Sequence, residues 1–220
     1  IANRNPIAFP TITGELTYIG AEAVERDITG TKHALEAAGK PVSDGFVAAI
    51  SPGSAARVAN AFYEDDEAVV WACADVLREE YKRITDAGLT VQIDAPDIAE
   101  GWDQMNPEPS VEDYRAFSRV RIDALNHALE GIDPSLVRFH VCWGSWHGPH
   151  TTDIPFKDIV DLALLVNANG LTFEAANARH AHEWTIWRDI KLPEGKYLIP
   201  GVVSHSTNVV EHPELVAQRI

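Results

Sequence analysis

Short apolar runs rich in β-branched residues alternate along this chain with longer stretches of helical periodicity, and Gly, Pro or an acid closes almost every run. From Glu67 to Ala87, residues Val69, Val70, Cys73, Val76, Leu77, Ile84 and Ala87 recur on a helical period, and Gly88 stands where such a helix stops. Leu89 to Asp94 follows at once, short and halted by Pro96, the pattern of a buried strand entering a loop. Ser110 with Asp113 three residues on has the form of a capping box with Asp in place of Glu or Gln. It opens a helix that carries Tyr114, Phe117, Ala124, Leu125, Ala128 and Leu129 and ends near Gly131. Val137 to Cys142 then reads as a strand, Phe156 to Ala168 as a helix stopping at Gly170, and Leu171 to Glu174 and Tyr197 to Val203 as further strands. Pro213 opens a last helix at the first-turn position it tolerates. Upstream, Phe46 to Ile50 and Ile7 to Thr13 also read as strands.

Repeated strand–helix units with apolar strands predict a parallel sheet flanked by helices, joined by right-handed crossovers. A (β/α)8 TIM-type barrel and an open doubly wound sheet both satisfy that pattern. A barrel takes roughly 250 residues, whereas six strands are legible in 220, and the last helix runs to Ile220. The expectation is therefore an α/β fold, a TIM-type barrel incompletely represented, with residues 1–220 forming a single barrel domain whose early and final strands lie outside the chain. No Gly-x-Gly-x-x-Gly follows a strand and no Gly-x-x-x-x-Gly-Lys occurs, so nucleotide cradles lack support.

Eighteen Lys and Arg against 33 Asp and Glu give a net charge of −15, which argues against nucleic acid and anionic membranes as partners. The apolar stretches fall far short of the roughly 20 residues a membrane span needs. Two cysteines, Cys73 and Cys142, are too few for a disulfide framework. With no charged-then-apolar opening segment, the chain reads as cytoplasmic with reduced thiols. The sequence leaves the number of subunits open.

Chemistry concentrates at Phe139-His140-Val141-Cys142-Trp143-Gly144. Two strand residues separated by one project to the same face, and neutral imidazole and thiolate are preferred zinc ligands. A satisfied histidine beside a buried cysteine is the competing reading. The next strand ends in Glu174, an acid that would be costly inside an apolar strand. His140, Cys142 and Glu174 thus form a candidate N, S, O set for Zn2+ with a fourth position open, while a salt bridge from Glu174 to Arg179 is the alternative.

Taken with Phe173-Glu174-Ala175 and Gln92-Ile93-Asp94-Ala95-Pro96, the His140-Val141-Cys142 run resembles the catalytic zinc barrel of the cobalamin-independent methionine synthase family from about Phe46 to Ile220. The resemblance implies a (β/α)8 barrel whose zinc is bound by His140, Cys142 and Glu174, with a further cysteine expected beyond Ile220 because none follows Cys142. It also implies that Asp94 holds the substrate, while Ala95 stands where the family has a Glu, which weakens the case for homocysteine specifically. The longer run from His140 to His150, with Phe173 to Asn177, more closely resembles a branch that includes epoxyalkane:coenzyme M transferases. Both activate a thiol on zinc, so the expected partners are a small-molecule thiol and a methyl or alkyl donor, with methyl transfer to homocysteine leading and epoxide opening second. A noncatalytic zinc-binding scaffold is the reading from another class.

Such a transfer delivers a proton to the departing nitrogen or alkoxide. His205, just after a strand, is the candidate acid; a solvent-exposed loop histidine is the alternative. His147 and His150 are candidates for the substrate mouth or for shaping its turn, and Trp143, with Trp146, Trp184 and Trp187, for an apolar wall or for core packing. Arg179 is a candidate grip on an anionic substrate group or a surface ion pair. His180-Ala181-His182 reads as an exposed turn at a helix start, and Cys73 as a buried hydrophobe.

Overall fold

The structure, a computed structural model, describes residues 10–144, 152–204 and 208–220. In chain order its elements are β1 (Thr11–Ile12), α1 (Ala21–Ala37), β2 (Phe46–Ile50), α2 (Pro52–Ala55), β3 (Ala59–Asn60), α3 (Asp66–Asp86), β4 (Thr90–Ala95), α4 (Val111–Ala128), β5 (Val137–Val141), α5 (Val160–Ala163), β6 (Gly170–Glu174), β7 (Tyr197–Gly201) and α6 (Pro213–Ala217). Strands β2, β4, β5, β6 and β7 lie side by side in that order, every neighbouring pair parallel. Short β1 and β3 pair separately, also in parallel. The fold is α/β with the layout of a partial TIM-type barrel, and among the described residues the five-stranded sheet is open, with β2 and β7 at its edges.

Local chemistry sets the long elements. Asp65 caps α3 by accepting the Ala68 N–H at 2.8 Å, and Asp66 and Glu67 add negative charge at the positive end of the helix. Gly88, at a φ of +81°, ends the turn that leads into β4. Ser110 caps α4 by accepting the Asp113 N–H at 3.1 Å, the N-cap half of the expected capping box, and its hydroxyl donates to the Asp113 carboxylate at 2.8 Å. Pro213 occupies the first turn of α6.

Several elements differ from the sequence reading. The segment from Phe156 to Ala168 is a 3₁₀ turn followed by the four-residue α5, because Ile159, at a φ of −130°, breaks the helical path between them. The run Tyr197 to Val203 is a strand only to Gly201, and the strand expected over Ile7 to Thr13 is described only as Thr11–Ile12. Helix α1 was not among the expected elements; its middle, Thr29-Gly30-Thr31, is made of poor helix formers, and its buried residues are Val24 and Ile28.

The core lies between the sheet and its helices. Val91, Ile93, Ala95, Val137, Phe139, Val141, Leu171 and Phe173 pack in one buried cluster with Val70, Ala74, Tyr81 and Ile84 of α3 and Tyr114, Ile122 and Leu125 of α4. Alternation along the strands sends Gln92, Asp94, Arg138, His140, Thr172 and Glu174 to the opposite face, where all are half-buried. Among the described residues no helix is long and apolar enough to cross a membrane.

Candidate active site

Parallel strands gather their carboxyl ends at one rim, the place where α/β folds build sites. Register brings the predicted residues to that rim. Asp94 of β4 stands opposite His140 of β5, which stands opposite Thr172 of β6, so the three form a row across the sheet. Cys142 lies two residues beyond His140, just past β5, and Glu174 two beyond Thr172, at the end of β6. His140, Thr172, Glu174, Asn177, Gly201 and Ser204 line a cleft of about 210 Å³ at this rim.

Neighbouring groups hold each side chain. Thr172 Oγ1 lies 3.3 Å from His140 Nδ1, Asn177 Nδ2 donates to Glu174 Oε2 at 2.8 Å, and Gln92 Nε2 donates to Asp94 Oδ1 at 3.1 Å. The Gly144 N–H points at Cys142 Sγ from 3.3 Å. Gly144 sits at a φ of +84°, and a Cβ there would meet Glu100 Oε1 at 3.0 Å, so this exit from β5 suits glycine on both counts.

Burial pushes the Cys142 thiol above its ordinary value, and the carboxylates of Glu174, Glu100 and Asp94 push it the same way, against the Gly144 hydrogen bond. A cation here would relieve that crowding of negative charge. Nitrogen, sulfur and oxygen donors are the set zinc takes, so the residues fit the ion in kind. Among the described residues, however, no group of three or more His, Cys, Asp and Glu side chains is drawn together closely enough to hold one.

Two acids at the rim escaped the sequence reading. Glu100 is tied to β5 by its N–H, which donates to the Cys142 carbonyl at 3.1 Å, and its carboxylate takes a 2.9 Å ion pair from Arg57, which also bonds Gln104. Asp97, 2% exposed, accepts both the Ser51 and Ser54 hydroxyls at 2.6 Å. A Cβ on Gly53 would come within 2.0 Å of Asp97 Oδ2, so glycine there makes room for the acid. Both acids lie in the irregular segment after Pro96, where no periodicity marks a facing side chain.

Arg179 reaches Asp153, with Nε 3.6 Å from Oδ2, and Glu174 is held by Asn177. Trp143 is 2% exposed, its indole donating to the Ile154 carbonyl at 3.1 Å, so it backs the rim from the core. Trp187 packs on Phe156 and Phe173, while Trp184 is exposed under Arg188. His180, read as part of an exposed turn, is instead 3% exposed because two carboxylates satisfy its ring. Cys73 is buried on α3, as expected, and burial pushes its thiol up to about 11. Both cysteines are free. His147, His150 and His205 lie outside the described residues.

Neither a protein-family model nor a curated protein matches the chain. Among solved structures it is similar to a B12-independent methionine synthase from Shewanella sp. W3-18-1, solved in complex with selenomethionine, with a TM-score of 0.67 and 19% sequence identity. The match covers 96% of this chain and 57% of that one, so the chain spans somewhat more than half the length of the solved protein. At that identity the likeness establishes a shared fold.

Proposed function

We propose that this protein is a zinc-dependent transferase that joins a methyl or alkyl group to the sulfur of a small thiol. Its leading form is methyl transfer from a methyltetrahydrofolate-type donor to homocysteine or a related thiol. One observation carries the reading. An imidazole, a thiol and a carboxylate, those of His140, Cys142 and Glu174, stand at the carboxyl ends of adjacent parallel strands, in a fold shared with a methionine synthase.

Zinc held by these three residues would supply a thiolate near neutral pH from a bound thiol. The remaining work falls to the chain. Asp94, in register beside His140, is suited to the amino group of an amino-acid thiol. The cleft of about 210 Å³ is below the roughly 300–1,000 Å³ of drug-sized pockets, a scale that suits a small thiol. As the S–C bond forms, the donor's N–C bond breaks and its electron pair passes to nitrogen. His205 is assigned the proton that nitrogen takes up, while the thiol's own proton leaves to solvent. His147 and His150 are assigned to the substrate mouth, Trp143 to its backing, and Arg179 to an anionic substrate group.

A second reading rests on the same three residues and on the resemblance of Phe173-Glu174-Ala175-Ala176-Asn177 to the epoxyalkane:coenzyme M transferase branch, in which a thiol such as coenzyme M opens an epoxide. There the C–O bond breaks and the proton goes to the alkoxide. Mass spectrometry of thioether products tests both, with homocysteine and methyltetrahydrofolate in one reaction and coenzyme M and an epoxide in another. Turnover of the first pair is expected. Turnover of the second pair alone shifts the assignment to epoxide opening, and zinc binding with neither turnover leaves a scaffold.

A further inference from the structure

We infer that His180 is a positioning residue for the rim, tying the segment that leaves Cys142 to the segment that leaves Glu174. The tie rests on geometry alone; its bearing on thiol transfer rests on the function proposed above.

His180 is buried at the junction of three stretches of chain. Its Nδ1 lies 2.8 Å from Glu183 Oε2 and its Nε2 lies 3.1 Å from Asp153 Oδ2, so each ring nitrogen faces a carboxylate. Arg179 also stands beside this junction, its Nε 3.6 Å from Asp153 Oδ2.

From this centre the contacts run to both sides of the candidate site. On the Cys142 side, the ring stacks on the Trp143 indole with centroids 4.3 Å apart, and Glu183 uses its second oxygen to accept the Phe156 N–H at 2.6 Å. On the Glu174 side, the His180 N–H donates to the Asn177 carbonyl at 3.0 Å, and the Asn177 side chain holds Glu174. The strand ends carrying sulfur and carboxylate are therefore joined through one imidazole. An apolar side chain of similar volume would fill the space without linking them. Ionisable groups buried between two loops restrict how those loops move against each other.

Iodoacetamide alkylation of the metal-free full chain tests the tie, with the two thiols read separately by peptide mass spectrometry. Cys73, buried on α3 away from this junction, serves as the internal control. His180→Gln is expected to speed alkylation of Cys142 by at least about tenfold while leaving Cys73 unchanged, because local opening alone exposes the first thiol. Glu183→Gln keeps an oxygen for Phe156 and an amide for the ring, so it is expected to retain most of the wild-type protection. In protein labelled with 15N-histidine, the His180 ring nitrogen signals are expected to move in both Asp153→Asn and Glu183→Gln. An unchanged Cys142 rate in His180→Gln, acceleration of both thiols together, or ring signals indifferent to both acids would overturn the inference. Zinc binding by the wild-type chain is measured separately, and its absence would sink the transferase reading without touching these outcomes.

Discussion

The two faces of the five-stranded sheet are built from alternate residues of the same strands, yet they differ in almost every physical respect. Toward the helices, Val91, Ile93, Val137, Phe139, Val141, Leu171 and Phe173 are all 4% exposed or less. Toward the opposite face, Asp94, His140, Thr172 and Glu174 stay half-buried, while Phe46 and Ile50 of the edge strand β2 are each 44% exposed. Arg138, two residues before His140 on β5, lays its guanidinium 4.7 Å from the centre of the Phe46 ring. The helix-covered face supplies the cohesion that folding requires, and the other face carries ionisable groups that a packed core could not tolerate. Period-two alternation thus lets one strand serve both purposes, and substitutions one residue apart should have opposite consequences.

Cys142→Ser offers the largest contrast. It is expected to reduce thioether formation to background in the turnover assay while changing stability by no more than about 1 kcal/mol, since the thiol is only half-buried. Loss of stability with activity retained would break the division between the faces. Phe139→Ala, on the helix side and 1% exposed, is expected to cost about 3–5 kcal/mol in urea unfolding. His140→Ala, the next residue, should cost about 1 kcal/mol or less in the same experiment.

Asp97 gives a smaller, pH-dependent effect. Burial holds its carboxyl above the ordinary value of 3.8, against the lowering influence of Ser51, Ser54 and Arg121. As pH rises from that unfolded value toward the folded one, the unfolded chain loses the proton first, and the folded state is penalised. Asp97→Asn escapes the penalty, so its stability relative to wild type should improve as pH rises above about 4. Improvement on acidification would contradict the assigned cause. The smallest effect belongs to the surface. Arg115 grips Asp161 with both terminal nitrogens, at 2.7 and 2.6 Å, and its hydrogen bonds hold that acid below the ordinary range. The stabilisation is present above the unfolded carboxylate value and lost as pH falls through the depressed folded one. With both side chains about a third exposed or more, Arg115→Ala should cost less than about 1 kcal/mol through this pair. Urea midpoints at pH 7 and pH 3 check both statements.

What was legible in the sequence follows from the same division. Residues that alternate against a helical layer leave a periodic trace, so α3, β4, β5 and β6 emerged within a residue of their observed bounds and α4 within about three. Their carboxyl ends then pointed to His140, Cys142, Glu174 and Asp94 without reference to the structure. Helix α1 carries at its middle Thr29-Gly30-Thr31, poor helix formers that masked it, and the turn at Ile159 depends on a backbone angle that no residue type there dictates. Glu100 meets the Cys142 carbonyl across 42 positions of sequence, and His180 meets Asp153 across 27, through loops whose paths depend on tertiary packing. Polar spacing alone, as in His180-Ala181-His182, could not separate a buried bridge from an exposed turn.

The central claim is that the rim of β5 and β6 activates a thiol on zinc. X-ray absorption at the zinc edge, with metal content, on the intact protein and on Cys142→Ser, with and without added thiol, tests it most directly. The account predicts zinc near one equivalent, lost in the variant, gaining a sulfur ligand when the thiol is added. No bound zinc, or zinc indifferent both to Cys142 and to the thiol, would contradict it.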